Sequence, residues 1–188
     1  MILDEYIFAG FGGQGIMTIG QIIAYAGMLQ GFSTAWIPSY GPESRGGTAN
    51  CNVVISDEMI GSPHTHHPNG VIVMNAPSFD KFEPMMKPGG ALVVNTNLVP
   101  RHSERGDLTV AYVPTADIAL EVGHPVLAAV VGMGAFVASR AIVTDGNMEK
   151  AIDWALPAHR KDMLDMNLRA YYEGKKAAET QVKAAAVN

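Results

Sequence analysis

A single cysteine, Cys51, stands in a chain of 188 residues. One thiol cannot form an internal disulfide, complete a cysteine-based zinc site or hold an iron–sulfur cluster. Charge is also sparse: Asp, Glu, Lys and Arg make up 16% of the residues, against 48% hydrophobic. About a quarter charged is usual for a soluble domain, so the low value suits a surface partly buried against partners. The net charge is −5, which argues against a nucleic-acid footprint. Long unbroken apolar runs are missing too. The most apolar stretch, "PVLAAVVGMGAFVASRAIV" (125–143), is interrupted by two glycines and an arginine. It reads as a buried helix followed by a short turn, with no membrane association. The start, "MILDEYIF", carries early acids and no basic leader, so a cytoplasmic location is expected.

What is present is an α/β pattern. "EYIFAG" (5–10) reads as a buried strand, and the apolar spacing of Ile16, Ile19, Ile23, Ala26 and Leu29 predicts a helix ending at Gly31. "FSTAWIP" (32–38) is a second strand stopped by Pro38, which would make the first three elements a βαβ unit. "CNVVIS" and "EMIGS", flanking Asp57, read as a hairpin. Strands are expected at 70–75, "GGALVVNT" and "LTVAYVP", with a helix at "SFDKFEPMM" capped by Ser78. A short helix follows at "DIALEVG", opened by Thr115 or Asp117. From Met148 onward the chain reads as helical, with residues 175–188 a frayed tail. The expectation is one Rossmann-like, three-layer domain over residues 1–188. Its central sheet is mostly parallel, with one hairpin and a C-terminal helical segment.

Two stretches carry chemistry. The first is "AGFGGQG", in which Gly10, Gly12 and Gly15 have the spacing G-x-G-x-x-G between strand and helix. Such a turn aims backbone N–H groups at whatever sits above the helix N-terminus, a geometry suited to anions. Gly13 belongs to the same turn, and Gln14 offers a side-chain donor. A nicotinamide dinucleotide site would also need an acid at the tip of the second strand. That tip is Ile37 and Pro38, with Glu43 and Arg45 well out in the loop, so the dinucleotide reading is disfavoured. The bland alternative is that the glycines only permit a tight turn and close packing.

The second stretch is "SYGPESRGGTAN" (39–50). Arg45 stands between Gly41-Pro42 and Gly46-Gly47, a planar fork suited to phosphate or carboxylate. An arginine that merely braces a loop or interface fits as well. In a doubly wound sheet this loop and the residue 10–15 turn should face one another. The run "SPHTHHP" brings His64, His66 and His67 together but offers no carboxylate or thiol, and reads as a solvated loop. Ser39, Ser44 and Thr48 have no paired base, and Trp36 reads as core.

Together, "AGFGGQGIMTIGQIIAYAG", "SYGPESRGGTANCNVVIS" and "VMNAPSFDKFEPMMKPGGALVVNTNLV" resemble the gamma subunit of the 2-oxoacid:ferredoxin oxidoreductases, and most of all the 2-oxoglutarate and ketoisovalerate types. The pairing of GFGGQG with YGPExRGGxAN carries the resemblance, which extends to about Gly174. It implies a multisubunit enzyme that oxidatively decarboxylates a 2-oxoacid with coenzyme A, giving acyl-CoA and CO2 and reducing ferredoxin. Thiamine diphosphate, Mg2+ and [4Fe–4S] clusters would lie on alpha, beta and in some cases delta subunits. This chain would hold no catalytic residue, no metal and no stably bound cofactor, and would be inactive alone. Its expected role is to shape the coenzyme A entrance through Gly10, Gly12, Gly13, Gln14, Gly15, Arg45, Gly46 and Gly47, or to dock the thiamine-binding subunits there. A free-standing nucleotide-binding module and a purely structural subunit remain as alternatives.

Overall fold

The computed structural model describes residues 1–41, 47–140 and 142–185, with the side chains of the last helix described as far as residue 179. Six strands form one sheet: β1 (Leu3–Phe11), β2 (Ser33–Tyr40), β3 (Thr48–Ser56), β4 (Gly70–Val73), β5 (Ala91–Asn95) and β6 (Thr109–Val113). Their order is β2-β3-β1-β4-β5-β6. β1, β4, β5 and β6 pair in parallel, while β3 runs antiparallel to both of its neighbours. The α/β sandwich and mostly parallel sheet follow the sequence pattern.

The helices are α1 (Ile16–Leu29), α2 (Ala76–Phe82), α3 (Thr115–Val122), α4 (Ala128–Ser139), α5 (Asp145–Ala155) and α6 (Leu164–Ala185). Alternation along β1 divides them into two layers. Tyr6 and Phe8 face the larger core with Ile19, Ile23, Phe136 and Tyr171, from α1, α4 and α6. Ile7 and Ala9 face a smaller core with Phe79 and Phe82 of α2. The Phe136 ring meets Tyr6 and Phe8 edge-on at 4.9 and 5.2 Å, a favoured aromatic geometry. α4 is buried nearly all round, and α6 closes on it where Gly134 and Gly174 leave no room for a side chain.

Several local expectations are corrected. Pro38 does not stop the second strand, which continues to Tyr40. β2 is an edge strand, where a residue without an N–H costs no ladder bond on its open side. β1, α1 and β2 do not form a simple βαβ unit, because β3 is inserted between the two strands. The hairpin is therefore β2–β3, turning through the glycine loop, with Tyr40 opposite Ala49. "EMIGS" forms no strand; Met59 is 94% exposed. The cap of α2 is Asn75, whose side chain accepts from the Ser78 N–H at 2.9 Å. Ser78 itself is the donor. Helix α6 runs on to Ala185, and Lys175 and Ala178, at the start of the expected frayed stretch, are packed against the body.

A candidate anion crevice at the sheet's carboxyl edge

From the centre of the sheet, α1 leads leftward from β1 to β2 over one face, while α2 leads rightward from β4 to β5 over the other. The strand order thus reverses between β1 and β4, and ligands of open α/β sheets sit outside the carboxyl ends at such a point. The residue 10–15 turn lies there.

Its glycines have separate jobs. Gly10 is buried at the end of β1; a Cβ there would lie 2.5 Å from Gln14 Oε1 and 3.0 Å from Met74 Cβ. Gly13 and Gly15 take φ of 91° and 80°, a region disfavoured for other L-residues. Among the described residues a Cβ on Gly12 would meet Gly47 O alone, at 3.9 Å, so none of them holds that position to glycine by packing. Gln14 braces the turn: its Oε1 accepts from the Phe11 N–H at 2.6 Å. The sequence reading gave it a donor role, whereas its carbonyl end is occupied inward.

Gly15 caps α1 without a side-chain hydrogen bond, and the first turn carries no acid. The N–H groups opening α1 therefore have no partner four residues back and present the positive end of the helix dipole. The loop after β2 reaches the same place. Gly12 N–H donates to Gly47 O at 3.0 Å, and Gly41 N–H donates to Thr48 O at 2.8 Å. Turn and loop thus meet, as expected, through Gly12 and Gly47. Arg45 and Gly46 lie outside the described residues.

Two grooves flank the turn. One, of about 250 Å³, lies between Gly13 and Gln14 on one side and Asn95, Leu98 and Val126 on the other. The second, of about 350 Å³, runs from Gly15 and Thr18 past Leu127 and Val130 to Arg160 and Asn167. Arg160 and Asn167 were missed in the sequence, because no motif marks them: "PAHRKDM" reads as an ordinary basic connector.

The remaining candidates separate from this site. His64, His66 and His67 are exposed in the loop before β4, and the His67 ring faces the Met85 carbonyl. Among the described residues no group of three or more His, Cys, Asp or Glu is placed to hold a metal, and no helix is long and apolar enough to cross a membrane. Cys51 is fully buried under α1, and burial pushes its thiol up to about 12. It is a neutral packing residue at ordinary pH, unsuited to bind a cluster iron.

Comparison with known proteins decides the family. Residues 5–177 match the model of the pyruvate ferredoxin/flavodoxin oxidoreductase family. The chain belongs to that family. It is 35% identical over 178 residues to the 2-oxoglutarate synthase subunit KorC of Methanocaldococcus jannaschii, covering 93% of this chain and 94% of that one. It is 34% identical over 176 residues to the ketoisovalerate oxidoreductase subunit VorA of Methanothermobacter thermautotrophicus. There the match takes in 93% of this chain but only 36% of the relative, so the chain spans about a third of that protein's length. Among solved structures it resembles the gamma subunit of a keto/oxoacid ferredoxin oxidoreductase from Geobacter sulfurreducens. The TM-score is 0.81 at 29% identity, over 94% of this chain and 99% of that one. Family members thus include both a chain of this size and a longer one in which this domain is a part.

Proposed function

We propose that this chain is the gamma-type subunit of a multisubunit 2-oxoacid:ferredoxin oxidoreductase. The complex converts a 2-oxoacid and coenzyme A to acyl-CoA and CO2, and the electron pair released passes to ferredoxin. Support comes from the family match over residues 5–177 and from the near full-length likeness to a 2-oxoglutarate synthase subunit. Thiamine diphosphate, Mg2+ and iron–sulfur clusters belong to companion alpha, beta or delta subunits in this reading. The buried, protonated Cys51 fits that division of labour.

Within the complex, the crevice at the carboxyl edge receives the phosphates of coenzyme A. The observation that carries this role is the bare start of α1, with no side-chain cap and no acid, set beside the Gly12–Gly47 contact. Arg45 and Gly46 precede Gly47 in the sequence, and in this reading the Arg45 guanidinium supplies the charge that coenzyme A phosphates call for. A cytoplasmic location goes with ferredoxin as acceptor.

The test is purification of the tagged chain from its own cell. Larger chains should co-elute with thiamine diphosphate and iron, and the eluate should reduce ferredoxin only when a 2-oxoacid and coenzyme A are both added. Recovery of the chain alone, free of those cofactors under gentle conditions, would sink the reading. In the assembled enzyme Arg45→Ala should raise the KM for coenzyme A with subunit stoichiometry intact; loss of the complex would make the loop a docking element.

A further inference from the structure

We propose that the carboxyl half of the β2–β3 face, on the side of α2, is a docking surface for one helix of a companion subunit, which meets it through an uncharged side. The proposal rests on the multisubunit reading above and adds to it a surface and the shape of its partner.

The sheet is covered unevenly. On one face it packs against α1, α4 and α6, with Cys51, Val53 and Ile55 of β3 in the larger core. On the other face α2 covers β1, β4 and β5, and among the described residues none from β2 or β3 joins that smaller core. The helical layer on this side thus ends at β1. Register sets Ile37 beside Asn52 and Ser39 beside Asn50, in rows that continue into Ile7 and Ala9 of β1. Side chains in one row share a face, so these four stand on the side of α2. At the amino end of β2, residues 57–63 lie against Ser33 and Ala35, and Val54 is buried. Farther along, Ile37, Asn50 and Asn52 are half-buried and Ser39 is exposed.

The chemistry of the strip is that of a covered surface. Neither β2 nor β3 carries a charged residue, although β2 is the outermost strand. Edge strands open to water are commonly guarded by lysine or other charges; Pro38 is the one such device here. The side-chain amides of Asn50 and Asn52 make no hydrogen bond to the described residues, so they can be matched from outside. Depletion of charge beside apolar side chains is the mark of an interface core. Geometry then selects the occupant. Two strands about 4.8 Å apart present a strip about 10 Å wide, the diameter of one helix. A second copy of this chain suits it poorly. The bare part, about five residues long, measures on the order of 200 Å², so two copies face to face would bury about 400 Å². A stable complex needs about 1,200 Å². The strip is therefore one part of a larger interface with a different chain. This domain makes up 36% of VorA, where the remaining chain is joined to it covalently; a separate chain of this size holds its companion by surface contacts.

The test uses the assembled enzyme. A photoreactive benzophenone side chain is placed at Ser39, an exposed position, and the adduct formed on irradiation is mapped by mass spectrometry. It should lie on a companion subunit, in a helical segment whose contacting residues are uncharged. Ile37→Asp sets a carboxylate beneath that helix and should raise the dissociation constant for the companion about a hundredfold. Ser39→Arg, which leaves the core untouched, should raise it about tenfold. An adduct on a second copy of this chain overturns the inference, and so does undiminished affinity in both variants. Failure of the broader reading looks different. If the unaltered chain purifies without companions, the multisubunit reading falls and this inference with it. If companions co-purify but the probe at Ser39 cross-links to none of them, this inference alone falls.

Discussion

β1 has two ends that could hardly differ more. At its beginning every charge on the strand is tied down. Asp4, 8% exposed, accepts from Arg140 at the end of α4 and from Asn69 Nδ2, and Glu5 pairs with Lys87. Asp57, opposite Ile2, pairs with the amino terminus. At its other end, among the described residues, the N–H groups opening α1 have no side-chain cap, Arg160 has no carboxylate, and glycines replace side chains. Ion-paired and satisfied, the first end holds the sheet to its helices. The second leaves polar groups for something else to satisfy. The contrast separates residues whose polar groups are satisfied within the chain from residues whose groups are left open, a distinction composition alone cannot make.

Substitutions can break that contrast. The largest effect should come from Arg140→Leu, which strands the buried Asp4 carboxylate; a loss of about 3 kcal/mol is expected, read from the urea midpoint. In the complex the KM for coenzyme A should not move. At the far end, Gly10→Ala should cost about 2 kcal/mol by overpacking, since its Cβ would press on Gln14 and Met74. It should also disturb coenzyme A binding, because the turn itself shifts. Lys87→Met removes a partly exposed pair and should cost about 0.5 kcal/mol, with kinetics untouched. Gly12→Ala should shift stability least, within about 0.5 kcal/mol, yet raise the KM for coenzyme A. A Gly12→Ala variant with unchanged kinetics would return that glycine to a packing role.

Much of this was legible in the sequence. Apolar periodicity placed β1, α1, β4, β5 and β6, and Gly31, with φ of 94°, marked the end of α1 as its position predicted. Errors clustered where tertiary context overrides a local signal. Pro38 reads as a stop until the strand is known to lie on an edge. "EMIGS" alternates like a strand but has no neighbour to pair with, and "CNVVIS" takes β1 and β2 instead. Of the crevice, the turn was legible because glycine spacing records backbone conformation. Arg160 and Asn167 were not. They reach the groove through the fold of the C-terminal helices, and nothing in their immediate sequence encodes that approach.

The inserted antiparallel strand has one more consequence, in how the crevice is tied to the sheet. Gly41 and Gly47 are pinned beside the turn by hydrogen bonds from Gly41 N–H to Thr48 O and from Gly12 N–H to Gly47 O. Eight consecutive register pairs tie β2 to β3 behind them. Both ends of the 42–46 segment are therefore held at once, one by the sheet and the other by the turn, so that a shift of β2 against β3 would be felt directly at Gly12.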